Sequence, residues 1–333
     1  MFSPSAIAAL AAELALMLGG LALLWRVQLS PAARAGRQPP ALTAWSIALP
    51  DFGLFVWCVI VGGGLGQLAM VQSLALFASD GDTRQVLAGA AFQLGMLGGC
   101  AGFALFASGG RDFDRPRGSF LCAGLATFAI TLPLLVAVGF LWTLLLDLVG
   151  LPAERQELIG LFAGAKSPLL LGSLVALASI VAPITEELVF RAGIFRYLRS
   201  QPPIAVIFGT IVGGAILYFG FDSVLLFTRG AHKAAVFPLS FAITIALAAF
   251  LLTRSRVILK VMMQPVPRWA ALLVPALLFG ALHGNLASFP QLVALGVLFS
   301  LAYERTGNIA VPMLAHALFI LNTIALILSG IEL

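Results

Sequence analysis

The stretch APITEELVFRAG, residues 182–193, sets two adjacent carboxylates, Glu186 and Glu187, and one arginine, Arg191, among alanine, leucine, valine and phenylalanine. A carboxylate can take a proton from water, and a guanidinium can neutralise a carboxylate or fix its position. Glu187 and Arg191 are four apart, so a helix puts them on one stripe with the glutamate on the N-terminal side, the better orientation for an ion pair. Adjacent helical residues diverge by about 100°, so Glu186 points away from that pair and is left as the candidate general base. Pro183 removes a backbone donor three residues earlier and kinks or restarts the helix, which suits a site needing polarity at membrane depth.

The chain has three histidines to offer as partners. His232, beside Lys233 in FTRGAHKAAV, reads as a solvated loop residue. His283, in LLFGALHGN, ends an apolar stretch, and His316, in VPMLAHALFILN, lies about two turns into the last one. Either alone is more simply a packed core histidine. Two of them together with an unpaired carboxylate make a stronger case for a site.

The elements that must carry these residues are membrane spans. Of 333 residues, 61% are hydrophobic and 10% charged, and the mean hydropathy is +1.05, outside the range of water-soluble domains. Backbone groups in lipid must be satisfied internally, and the apolar runs are continuous, not alternating, so the expected fold is all-α: a polytopic transmembrane helix bundle, not a β-barrel. Spans are expected near 5–25, 51–77, 85–107, 120–146, 169–198, 204–220, 237–253, 269–285, 290–303 and 309–330, about ten, or eight to ten if short segments are re-entrant. The mixed segment GLPAERQELIGLFAG, 150–164, reads as an interfacial helix. Glu13 and the lack of a basic leader mark 5–25 as a retained span. Cys58, Cys100 and Cys122 match no metal or disulfide spacing.

The net charge of +5 does not point to nucleic acid, because the basic residues are dispersed through loops. Fourteen of the 19 fall on alternate loops, including Arg26, Arg34, Arg37, Arg111, Arg196, Lys260 and Arg305, which makes that side cytoplasmic and both termini external. An ionisable residue inside a span costs on the order of 2.5–3.5 kcal/mol on insertion scales, so Glu13, Glu186, Glu187, Arg191, His283 and His316 carry functional expectations by default, and the amide of Asn322 stands out beside them.

EELVFR resembles the E-E-x-x-x-R motif of the CPBP family, the CaaX-protease and bacteriocin-processing (Abi) intramembrane proteases. FGALH, residues 279–283, is similar to its F-x-x-x-H motif, and YERTGNIAVPMLAHAL, 303–318, to the approach to its last histidine. The resemblance covers roughly 166–330 and implies a catalytic bundle over 151–333 with an inserted helical pair near 200–268, preceded by motif-free helices over 1–150. It implies that Glu186, helped by His283, activates a water against a peptide carbonyl, that Glu187 and Arg191 hold the helix, and that His316 stabilises the oxyanion. It also brings the alternative of zinc held by His283, His316 and Glu186. Neither histidine belongs to an H-E-x-x-H pair, so the metal-free version is favoured and no cofactor is expected. The family's asparagine four residues past the last histidine is replaced by isoleucine, and Asn322, about 120° round from His316, is expected to be a packing amide.

The resulting expectation is an intramembrane endopeptidase of a bacterial inner membrane, its cavity open to the cytoplasm, cutting a membrane-embedded or lipid-associated peptide. The competing classes are an inactive peptide-binding or immunity scaffold and a proton- or cation-coupled transporter.

Overall fold

The computed structural model describes residues 3–74, 81–114, 118–151, 160, 162, 167–213, 223 and 232–331. Among them the chain is helical: α1 Pro4–Leu24, α2 Pro31–Ala35, α3 Leu49–Leu74, α4 Gly81–Phe106, α5 Leu121–Leu148, α6 Pro168–Leu198, α7 His232–Arg254, α8 Arg256–Met262, α9 Arg268–Leu282, α10 Phe289–Thr306 and α11 Ala310–Leu328, with a further helical stretch over 205–213. The interfacial helix expected over 150–164 falls almost wholly outside the described residues, as does the second half of the span expected over 204–220.

Among the described residues, six helices are long and apolar enough to cross a membrane: Pro4–Leu29, Leu49–Met70, Val86–Phe106, Leu121–Leu148, Pro168–Leu198 and Ala310–Leu328. A seventh span results if α7 and α8, bent by 96° at Ser255, act as one. At 15 residues α9 is about 22 Å long, less than a hydrocarbon core, and α10 carries Gln291, Glu304 and Arg305. The protein is therefore an integral membrane helix bundle.

The chain divides into two compact units, one of Met1–Tyr197 with Trp269–Leu333 and one of Leu198–Arg268. The smaller unit closes its base by backbone bonds from Ile204 N–H to Gln264 O and from Val266 N–H to Pro202 O, both 2.9 Å.

In the larger unit α5 is the central post, with α1, α10 and α11 packed along it. Helices α3 and α4 form a separate close pair through two facing small-residue motifs, Gly62 with Gly66 and Gly95 with Gly99. A Cβ at any of these four would stand 2.1–2.3 Å from a carbonyl oxygen of the other helix, so the backbones touch. Lipid offers no hydrophobic drive for helix pairing, and this close approach supplies dispersion contact in its place. Between α10 and α11 the chain turns sharply: Gly307 takes φ 62°, returns its N–H to Tyr303 O at 2.8 Å, and Asn308 Oδ1 accepts from Ala310 N–H to start α11.

Candidate active site

Helix α6 is irregular where its polar residues lie. Its middle is a short α-helical stretch, Ala182–Glu187, with Pro183 in the first turn, between π-helical turns over Leu177–Val181 and Leu188–Phe195. A proline inside a continuous α-helix clashes with the carbonyl four residues back; a wider turn just before it relieves that clash and keeps the span intact. The second π segment carries Arg191.

Glu187 is fully buried and has both oxygens engaged. Oε1 lies 3.0 Å from His316 Nδ1 of α11, and Oε2 lies 3.1 Å from Arg191 Nε. The arginine contact is an ion pair and not an aligned hydrogen bond, and Arg191 Nη1 and Nη2 are buried without an acceptor. They are held by ring faces: the guanidinium carbon sits 4.7 Å from the centroid of Phe279 and 5.8 Å from that of Phe299.

Glu186 has a different environment. Its side chain keeps 14% exposure against none for Glu187. Its Oε1 accepts from Gln93 Nε2 of α4 at 3.2 Å, and its Oε2 faces His316 Nε2 at 3.9 Å, too far for a direct hydrogen bond. The imidazole of His316 thus spans the angle between the two glutamates, with one nitrogen toward each. Two carboxylates and one guanidinium thus share the cluster with a single imidazole.

Phe279 is the wedge of the site. Its ring lies 6.0 Å from that of His316 and 4.7 Å from that of His283, besides its contact with Arg191. His283 lies just past the end of α9, in a turn, with its ring exposed. Its Nδ1 is 2.7 Å from Phe279 O; a carbonyl only accepts, so Nδ1 carries the hydrogen and Nε2 is the open nitrogen of the neutral ring.

Glu186, Glu187, Arg191 and His316 are therefore brought together, and His283 joins them only through its ring contact with Phe279. Among the described residues no three His, Cys, Asp or Glu side chains are gathered as metal ligands. His283, His316 and Glu186 form no such cluster as arranged, although Nδ1 of each histidine is held by a protein oxygen, which leaves Nε2 as the nitrogen a zinc ion would take.

Asn322 donates to Glu13 Oε2 of α1 at 2.9 Å, away from His316, and α11 runs uninterrupted between them. Asn285, two residues past His283, accepts from Ser288 N–H and Oγ–H and closes the turn before α10.

Gln93 is the member that sequence reasoning missed. The only available signal was an amide inside the apolar part of α4, with nothing to say which carboxylate it would meet. Thr185 lies beside it, donating to Val181 O at 2.9 Å and approaching Gln93 O at 3.5 Å.

Comparison with known proteins agrees with the carboxyl-terminal part of this arrangement. The model of the family described as Type II CAAX prenyl endopeptidase Rce1-like matches residues 168–264 and 250–321. No curated protein and no solved structure matches the chain. The matched stretches contain Glu186, Glu187, Arg191, His283 and His316, and over residues 168–321 the chain is similar to the Rce1-like type II CAAX prenyl endopeptidase family.

Proposed function

We propose that the protein is an intramembrane endopeptidase that hydrolyses a peptide bond near the end of a membrane-associated chain, with Glu186 as general base and without a metal. The observation that carries the assignment is the asymmetry of the two glutamates. Glu187 has both oxygens committed to His316 and Arg191, whereas Glu186 is held on one oxygen by Gln93 and presents the other across 3.9 Å to His316. A water fits a polar separation of that size.

In this reading Glu186 Oε2 takes a proton from the water as its oxygen bonds to the carbonyl carbon. Glu186 then returns that proton to the nitrogen as the C–N bond breaks. Protonated His316, with one N–H on Glu187, turns its Nε2–H toward the developing oxyanion. Glu187 and Arg191 hold the imidazole and the helix. His283, open at Nε2 and exposed, orients substrate at the mouth of the site and does not share the base's proton.

The matching family is described as CAAX prenyl endopeptidases, so a farnesylated CAAX peptide is the first probe. Membranes carrying wild type or Glu186→Gln are compared by peptide-level proteomics and on that probe. One cleavage should vanish in the variant at equal protein abundance, and persist in wild type under chelation. Identical peptide sets would sink the hydrolytic reading. Loss under chelation, restored by zinc, would move Glu186 and the histidines into a metal site.

A further inference from the structure

A second site lies at one end of the larger unit. Residues 43–46, Arg111 to Phe113 and Arg196 line a cleft of about 570 Å³. Residues 43–46 lead into α3, Arg111 to Phe113 follow α4, and Arg196 lies in the last turn of α6. The cleft therefore opens where three spanning helices end, at the depth of lipid headgroups.

Its chemistry is that of an anion site. Arg196 is 4% exposed and is fixed by uncharged oxygens: Nε donates to Thr43 O at 3.0 Å and Nη1 to Asp112 O at 2.7 Å, with Nη2 3.4 Å from Thr43 Oγ1. No carboxylate pairs with it among the described residues, so a buried positive charge lies at the cleft without a counter-ion. Arg111, on the rim, is exposed and makes no polar contact among the described residues. The Asp112 carboxylate on the same rim leaves the balance at two cations to one anion.

The backbone adds donors. The N–H groups of Thr43, Ala44, Trp45 and Ser46, four in succession, meet no acceptor among the described residues. The loop is nevertheless firmly held. Leu42 N–H bonds Glu304 O, Trp45 Nε1–H bonds Gly109 O at 3.2 Å, and the buried Trp45 ring packs edge-on against Phe55 and Phe103. A rigid run of unsatisfied N–H groups beside an uncompensated guanidinium is what phosphate oxygens require.

We propose that this cleft binds a phosphate group, delivered by the headgroup of an anionic phospholipid, and so ties the loop before α3 to the membrane surface. The site is independent of the chemistry at Glu186.

The test is native mass spectrometry of the full chain in detergent, titrated with dioleoylphosphatidylglycerol, dioleoylphosphatidylcholine or inorganic phosphate. Phosphatidylglycerol should be retained over phosphatidylcholine. Arg111→Gln and Arg196→Lys should each weaken retention by about tenfold, while Arg34→Gln, an exposed arginine of α2 outside the cleft, should not. Inorganic phosphate that binds wild type and displaces the lipid, but does neither with Arg111→Gln, would support the phosphate site with a soluble source. Equal retention of the two lipids, or unchanged binding in Arg111→Gln, would overturn the proposal. Arg111 contacts nothing the fold depends on, so that variant decides the matter even if Arg196→Lys fails to accumulate.

Discussion

Gln93 donates its carboxamide hydrogen to Glu186 Oε1 across the contact between α4 and α6, at 3.2 Å. The bond orients one carboxylate oxygen and leaves the other toward His316. Gln93→Leu removes the donor with little change of volume. A hydrogen bond to a charged group contributes about 1.5–3 kcal/mol, so turnover on the farnesylated peptide should fall by about tenfold or more at normal abundance. Gln93→Glu, which sets a like charge beside Glu186, should lower turnover further. Full activity in both variants would remove Gln93 from the site.

Glu187 separates structure from chemistry. Glu187→Ala leaves Arg191 buried at 1% exposure with no carboxylate at its Nε, a loss of about 3–5 kcal/mol for a buried pair broken on one side. Membrane yield and detergent melting temperature should both drop. Glu186→Gln should leave both unchanged while abolishing turnover. The opposite pattern would exchange the roles of the two glutamates.

The bond from Asn322 to Glu13 joins the last helix to the first. An interhelical amide contact of this kind contributes about 0.6–2 kcal/mol, so Asn322→Ala should fold, melt slightly lower and keep most of its activity. His316→Ala should lose roughly 10²-fold or more in turnover, because it removes the donor aimed at the oxyanion. Comparable inactivity of the two variants at normal abundance would place Asn322 in the site.

Orientation is open to single-cysteine labelling. With the arginine-rich loops inside, a cysteine at 34 or at 260 should react with a membrane-impermeant maleimide only after the cytoplasmic face is exposed. External labelling at 260 in intact cells would reverse the topology.

The bundle was legible in sequence because lipid leaves the backbone so few choices: runs such as 120–146 and 309–330 had to be helices and they are. The pairing of Glu187 with Arg191 followed from spacing four, and the divergence of Asn322 from His316 followed from helical angle. Other parts had no local signal. Gln93 reaches Glu186 from a helix 93 residues earlier, and single-chain periodicity says nothing of that pairing. His316 lies about two turns into α11, yet it meets Glu186 in the middle of α6. The start of α11 is itself buried by protein, with Ile309 and Val311 at 0% and 1% exposure, which no residue count along the helix foretells. The cleft of Arg196 is built from loop backbone, whose free N–H groups no residue pattern announces.

The touching backbones of α3 and α4 bear on how far the family-matched segment can stand alone. Gly95 lies two residues from Gln93, and Gly62 and Gly99 fix how that helix is seated, with no side chain in between to absorb a shift. Residues 168–321 therefore do not make a portable module. Transplanted into another bundle, they would bring Glu186 without the amide that aims it, and a methyl group added at Gly95 in this chain should do the same from a helix away.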